Sequence, residues 1–103
     1  MMEGCAQNEP FALQVTDSSM EPEFPKGCIV VSEPNGPLEH GCYVIGNDGE
    51  ELVFRQLLIE QGQWKLHALQ SGIEDITIAG REAIHGRVIQ RAGTRRKDRK
   101  SYL

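Results

Sequence analysis

Ser19 is the residue of this chain best placed for nucleophilic chemistry. It directly precedes Met20 in a turn that Pro22 prevents from continuing as a helix, and Gly27 closes the same segment ahead of an apolar, β-branched run. A serine hydroxyl held on such a corner can attack a carbonyl carbon once a neighbouring base takes its proton. The segment therefore predicts an acyl-transfer nucleophile at Ser19.

Strands must position this turn, because the chain around it has the alternation and turn residues of β structure. The only helix signal is a single turn that Pro22 cuts short. The predicted strands are 11–16, 28–33, 41–46, 51–59, 63–70, 75–79 and 83–91. Short, Gly-containing reversals separate them. The sequence thus predicts an all-β, hairpin-rich fold.

The pattern Val15-x-x-x-Ser19-Met20-x-Pro22, with Gly27 behind it, resembles the nucleophile motif of the LexA-like peptidases. This family contains the self-cleaving bacterial repressors and the UmuD-type mutagenesis proteins, with type I signal peptidases as distant relatives. The resemblance implies a β-clip type sheet assembly and a serine–lysine dyad that hydrolyses a peptide bond. It assigns the nucleophile position to Ser19.

The closing run Glu82–Gln90 contains an Ile-x-Gly-x-Val pattern that is similar to the last strand of LexA-like domains. With it, the resemblance extends from about Phe11 to Gln90. In that family the closing strands help to form a homodimer, so the resemblance implies a second copy of the chain as a partner. Exposed edge strands in a small sheet also favour such pairing.

Some positions differ from the family pattern. Asp17-Ser18 stands where the family has Gly-Asp or Gly-Asn, and Cys28 stands where aspartate is common. The larger difference lies in the later strand, where the family lysine is found in a run reading roughly Val-x-Val-Lys-Arg-Leu. The corresponding run here is Leu52–Leu57, and it has Arg55 in the lysine position.

Arginine is a poor replacement for a catalytic lysine. Burial can lower the pKa of a lysine from about 10.4 towards 7, at a cost of about 5 kcal/mol. An arginine starts above about 12.5, and its delocalised charge resists neutralisation. We therefore do not expect Arg55 to accept a proton from Ser19.

Two interpretations of Arg55 follow. In the first, the peptidase fold is kept but the dyad is lost, and Arg55 donates hydrogen bonds to Ser19, to Asp17 or to backbone carbonyls. In the second, Ser19 is an active nucleophile that cleaves its own chain or a partner, and another group serves as base. Lys65 on the next strand is the first alternative base, followed by Lys26 and the histidines.

The basic residues gather at the C-terminus. Residues 91–103 carry a net charge of +5 and the remainder −9, so we divide the chain into a leader (1–10), a LexA-like domain (11–91) and a basic tail (92–103). The tail could contact phosphates of nucleic acid, stay solvated, or pack on the acidic surface of its own domain or a dimer mate. Its candidate contacts are Arg95, Arg96, Lys97, Arg99 and Lys100.

Composition narrows the class of protein. A chain of 103 residues with 39% hydrophobic and 25% charged residues builds one core, as expected of a cytoplasmic globular domain. No run approaches the roughly 20 apolar residues of a membrane span. The three cysteines have neither disulfide-framework nor zinc-site spacing, so we expect no metal or cofactor. The function that the LexA-like resemblance implies, with Arg55 in the lysine position, is a domain with a degenerate dyad that acts as a dimerising regulatory or interaction module in a bacterial stress or phage-related system.

Overall fold

A computed structural model places every strand in one antiparallel sheet, which confirms the all-β prediction. The structure describes residues 9–49, 51–92 and 100–102. The strands are β1 (Phe11–Gln14), β2 (Ile29–Glu33), β3 (Tyr43–Asp48), β4 (Glu51–Glu60), β5 (Gln63–His67), β6 (Ile76–Ile78), β7 (Ile84–Ala92) and β8 (Lys100–Ser101). A 3-10 turn, Arg81–Ala83, leads into β7.

The strand order is β1-β2-β7-β3-β4-β5-β6, and β8 pairs with β7. Long strand β7 lies between β2 and β3, although both precede it in the chain. This order brings β2, which follows the Ser19 turn, into the same sheet as β4, which carries Arg55. In the sheet, β7 and β3 therefore lie between β2, which follows Ser19, and β4, which carries Arg55.

Gly86 allows β2 and β7 to approach each other closely. A Cβ atom at this position would lie 2.3 Å from the Ser32 hydroxyl oxygen and 3.0 Å from the carbonyl oxygen of Glu33. The first distance is shorter than real Cβ contacts and the second is tighter than most of them, so a side chain here would force Ser32 to shift. The glycine of the Ile-x-Gly-x-Val pattern thus has a packing role at the centre of the sheet.

All seven predicted strands are present, with shifted ends. Strand β3 begins and ends two residues later than predicted. Strand β5 ends at His67, three residues earlier than predicted. The chain turns away from the sheet there, and the Gln70 amide donates to the Ser19 carbonyl at 3.0 Å. Strand β8 was not predicted, since a two-residue strand within a charged run has no periodic signal.

Most of the buried apolar side chains form two clusters. The first contains Val15, Met20, Phe24, Cys28, Val30, Ile45 and Val88. The second contains Cys42, Val44, Leu57 and Leu66. Both cluster cysteines, Cys28 and Cys42, are buried free thiols and pack as small apolar side chains. Because Met20 and Phe24 belong to the first cluster, the segment that carries Ser19 is part of the core.

Candidate functional site

The segment between β1 and β2 forms a closed loop, which we call the Ser19 loop (residues 15–28). The Val15 amide donates to the Cys28 carbonyl at 2.8 Å, and the Gly27 amide donates to the Val15 carbonyl at 2.7 Å. Gly27 has φ +96°, a conformation that favours glycine. A cis peptide bond precedes Pro22. The loop therefore leaves the sheet and returns to it at a fixed point.

Two further sets of contacts hold the Ser19 loop. Met20 and Phe24 are 0% exposed, and the Phe24 amide donates to the Met20 carbonyl at 2.9 Å. On the other side, Gln70 donates through its backbone amide to the Ser19 carbonyl and through its side-chain amide to the Glu21 carbonyl, the latter at 2.6 Å. These contacts fix the backbone of Ser19 against the chain that follows β5.

The Ser19 hydroxyl has two partners in the described chain. It donates to Asp17 Oδ1 at 2.8 Å and accepts from Arg55 Nη1 at 3.0 Å. The Ser19 backbone amide also donates to Asp17 Oδ1, at 3.1 Å. Ser19 is only 7% exposed, so these contacts define the surroundings of its oxygen.

Arg55 is held in place by the sheet. It lies on β4 opposite the fully buried Val44 of β3, and its Nη1 also donates to the Phe54 carbonyl at 2.8 Å. Its Nε is buried and has no hydrogen-bond partner among the described residues. The guanidinium is thus fixed beside Ser19 in a partly desolvated position.

The Asp17 carboxylate is a weakened base. The hydrogen bonds from the Ser19 hydroxyl and amide, with smaller contributions from the charges of Arg55 and Lys26, hold its pKa below the ordinary value of 3.8. A carboxylate of this kind stays ionised at neutral pH and has little tendency to take a proton from a serine hydroxyl.

A cavity of about 190 Å³ is lined by Asp17 and Arg55, the two hydrogen-bond partners of the Ser19 hydroxyl, and we call it the Ser19 groove. One wall is formed by Leu13–Asp17, the other by Leu52–Arg55, with Val30 and Ile45 also lining it. Strand β1 is at the edge of the sheet, and β5 pairs with β4 only from Gln56 onwards. Within the described residues, the backbone of each wall therefore lacks a neighbouring strand on one side.

Comparison with known proteins identifies the family of this site. A model of the Peptidase S24-like family matches residues 2–89. The chain belongs to the Peptidase S24-like family. This confirms the LexA-like resemblance that was inferred from the Ser19 motif and the closing strand.

The chain is also similar to HTH-type transcriptional regulators for conjugative elements. It is 35% identical over 95 residues to the regulators of element R391 from Providencia rettgeri, element SXT from Vibrio cholerae and element pMERPH from Shewanella putrefaciens. The alignment covers 85% of this chain and 42% of each regulator. The chain thus spans less than half the length of these relatives.

Lys65, the alternative base, is not brought to the Ser19 hydroxyl of this S24-like site. Its cross-strand partner in β4 is Leu58. Because Leu58 lies an odd number of residues after Arg55, Lys65 and Arg55 point to opposite faces of the sheet. Lys26 interacts electrostatically with Asp17, so its charge stabilises the carboxylate next to the serine.

Two of the histidines, His40 and His67, have contacts of their own. His67 Nδ1 lies 2.7 Å from Asp75 Oδ1, and His40 Nδ1 accepts a hydrogen bond from the Ile59 amide at 2.9 Å. Within residues 9–49, 51–92 and 100–102, no cluster of His, Cys, Asp and Glu could hold a metal ion. No helix in the same residues is long and apolar enough to cross a membrane.

The end of the chain contacts the Ser19 loop through what we call the Glu23 clasp (Glu23, Arg91, Lys100 and Tyr102). Lys100 Nζ lies 2.7 Å and the Tyr102 hydroxyl 2.5 Å from Glu23 Oε2, and Arg91 donates to the Glu23 carbonyl. Of the candidate nucleic-acid contacts, Lys100 is therefore bound to its own domain. The other candidates, Arg95, Arg96, Lys97 and Arg99, lie outside the described residues.

The Glu23 clasp predicts a pH-dependent stability. Hydrogen bonds from Lys100 and Tyr102 hold the pKa of Glu23 below its ordinary value of 4.5. The ionised Glu23 carboxylate therefore contributes its full amount to the free energy of unfolding above pH 4.5. This contribution is lost as the pH falls through the lower pKa that Glu23 has in the folded protein. We expect Glu23→Gln to lower the free energy of unfolding by roughly 1.5 kcal/mol at pH 7.

Urea denaturation of the wild type and Glu23→Gln between pH 7 and 3 measures this effect. The difference between the two proteins should shrink in the acid range, whereas the loop variant Glu74→Gln should match the wild type at pH 7. A difference that stays constant down to pH 3 would show that the charge of Glu23 does not stabilise the clasp.

Proposed function

We propose that this LexA-like S24 domain has lost its Ser/Lys dyad and acts in the cytoplasm as a dimerising regulatory or interaction module. The observation that carries the proposal is the 3.0 Å contact from Arg55 Nη1 to the Ser19 hydroxyl oxygen. A guanidinium is a donor only and cannot be deprotonated in proteins. A group that gives a hydrogen bond to the nucleophile has taken the position of the group that should accept its proton.

The electronic consequences for Ser19 support the same proposal. One lone pair of its oxygen already accepts from Arg55, so that lone pair is less available for attack. Its proton is directed to Asp17, whose pKa is lowered by this contact. Nucleophilic serines are activated by a neighbouring base. Arg55 can only donate hydrogen bonds, and the pKa of Asp17 is shifted down, away from neutral pH.

The second candidate function is an active serine endopeptidase that cleaves itself or a partner. One contact favours it, because Asp17 Oδ1 already accepts the Ser19 proton at 2.8 Å. Cleavage through this carboxylate would need the pKa of Asp17 to rise well above its ordinary value, and the hydrogen bonds of the loop act in the opposite direction. We therefore prefer the proposal that the domain has lost its catalytic dyad.

The proposed dimer and regulatory role rest on the relatives. Their names describe HTH-type transcriptional regulators, and this chain aligns with 42% of each. We propose that the domain supplies the self-association half of such a regulator. Sedimentation velocity from micromolar to millimolar concentration should show a monomer–dimer equilibrium, and a monomer throughout would contradict this part of the proposal.

The loss of the dyad is tested by the intact mass of the protein. Incubation at pH 7 to 10, alone or with a peptide containing the Ala-Gly bond typical of LexA-like self-cleavage sites, should leave chain and peptide uncut. Ser19→Ala serves as the matched control for contaminating proteases. Cleavage by the wild type that disappears in Ser19→Ala would establish the second candidate function instead.

A further inference from the structure

We propose that residues 100–102 form a releasable strap that holds the Ser19 loop, and that a phosphate-bearing polyanion releases this strap by taking Lys100 away from Glu23. The Glu23 clasp joins the two segments. Release of the strap would leave the Ser19 loop without these contacts and raise its mobility. The proposal concerns the order of the loop, so it goes beyond the loss of the dyad and does not depend on it.

The strap is joined to the Ser19 loop by its side chains. Lys100 Nζ lies 2.7 Å and the Tyr102 hydroxyl 2.5 Å from Glu23 Oε2. The Tyr102 ring packs on the ring of Phe24, with 5.0 Å between the centroids. Phe24 is fully buried and belongs to the first core cluster. The strap therefore covers the residue that anchors the loop.

The strap has few links to the sheet within the described residues. Strand β8 pairs with β7 at Gln90↔Ser101 and Arg91↔Lys100. Tyr102 packs against the first cluster as a partly buried neighbour, whereas the buried members of that cluster lie outside the strap. Chain ends held by few hydrogen bonds open at a much lower free energy than core strands. The strap can therefore detach while the sheet remains folded.

The contact between Lys100 and Glu23 is open to competition. The Lys100 side chain is 50% exposed and the Glu23 side chain 28% exposed. Ion pairs near the surface contribute little to stability and are weakened by salt. A dissolved anion can therefore reach the Lys100 ammonium group and compete with the Glu23 carboxylate for it.

The charge distribution makes a polyanion select the released strap. The end of the chain is basic, and the remainder, which includes Glu23, is acidic. A polyanion at Lys100 is repelled by Glu23 while the strap is docked, and this repulsion falls when the strap leaves the domain. A ligand that binds one of two states more tightly shifts the population towards that state. Binding of the polyanion therefore favours release.

The partner is a chain of phosphates rather than a single ion. Affinity for a polyphosphate backbone grows with the number of phosphates that lysine and arginine side chains neutralise, because each contact releases condensed counterions. A single phosphate ion gains no such term. The chemistry that fits is a nucleic-acid backbone, bound through its charge and without reading of the bases.

Amide hydrogen exchange of the ¹⁵N-labelled full chain, with and without a short DNA duplex at low salt, measures the release. We expect saturating DNA to accelerate exchange of the Phe24 and Gly27 amides by at least about five-fold, the lower end for typical coupling between sites. Exchange of the Leu66 amide in β5 should not change. Inorganic phosphate at the same phosphate concentration should have no effect. An unchanged loop, equal acceleration in β5, or an equal effect of inorganic phosphate would overturn the proposal.

The coupling must also appear in the affinity for DNA. Glu23→Gln removes the carboxylate that competes for Lys100, so this variant should bind the duplex at least about three-fold more tightly than the wild type. Glu74→Gln is the matched control, because it makes the same change of net charge at an exposed loop position. Equal gains in affinity for the two variants would reduce the effect to net charge and contradict the strap.

A second pair of variants assigns the release to Lys100. In Lys100→Met the Phe24 amide should exchange faster than in the wild type before DNA is added, and DNA should accelerate it no further. Lys65→Met, which removes a lysine of β5, should keep the wild-type response to DNA. A response of Lys100→Met that equals the wild-type response would show that the polyanion acts elsewhere.

Discussion

Replacing Arg55 with lysine is expected to activate Ser19. A lysine at this position is flanked by the buried Val44 and by apolar strand neighbours, so desolvation should lower its pKa. Its Nζ reaches about one bond less far than Nη1, which now lies 3.0 Å from the Ser19 oxygen, a shortfall that rotation about the side-chain bonds can reduce. Acid–base assistance by a positioned side chain typically accelerates a reaction by about 10²–10⁴-fold.

The measurement is the rate at which a fluorophosphonate reagent phosphonylates Ser19 with loss of fluoride, followed by intact mass. We expect Arg55→Lys to react at least about 100-fold faster than the wild type, with a rate that rises with pH as the lysine loses its proton. Arg55→Lys combined with Ser19→Ala is the control for labelling elsewhere. Equal rates for wild type and Arg55→Lys would mean that residue 55 does not control the reactivity of the serine.

Replacing Phe24 with alanine should cause a large loss of stability. The Phe24 ring is 0% exposed and lies 4.7 Å from the rings of Tyr43 and Phe54 and 5.0 Å from that of Tyr102, measured between centroids. Removing a buried phenylalanine typically costs about 3–5 kcal/mol. For a domain of this size each kcal/mol lowers Tm by roughly 4–8 °C, so we expect a fall of more than about 12 °C.

The same substitution should loosen the site, because Phe24 anchors the Ser19 loop to the core. Hydrogen exchange of loop amides should accelerate more than that of β3 and β4. Phe11→Ala, at a half-buried position on edge strand β1, is the matched control and should cost much less. A loss of less than about 1 kcal/mol for Phe24→Ala would contradict the anchoring role of this ring.

Sequence periodicity is sufficient to locate the strands along the chain but not to predict their order in the sheet. The alternation within 51–59 and 83–91 identifies β4 and β7, because side chains of a strand alternate between faces. It does not reveal that β7 inserts between β2 and β3. That placement depends on the close approach at Gly86, a contact between residues distant in the chain.

Some contacts of the candidate site could likewise be predicted from the sequence, and others could not. The pairing of Ser19 with Arg55, 36 residues apart, could be inferred because the family motif carries the spacing of its two halves. The contact between Glu23 and Tyr102, 79 residues apart, has no motif and no periodicity. The basic run near the C-terminus offered several interpretations, and the structure places its residue Lys100 on the acidic Glu23. The Ser19 groove is formed by two strand edges, so it too depends on tertiary structure.

The central claim is that a permanently cationic donor at residue 55 leaves the Ser19 hydroxyl unactivated. The most direct measurement is the pH dependence of fluorophosphonate labelling of the wild-type chain between pH 6 and 10, with the adduct located by peptide mapping. The account predicts no adduct at Ser19 above the level seen with the exposed Ser18 at any pH. Rapid, selective labelling of Ser19 that follows the titration of a single base would contradict it.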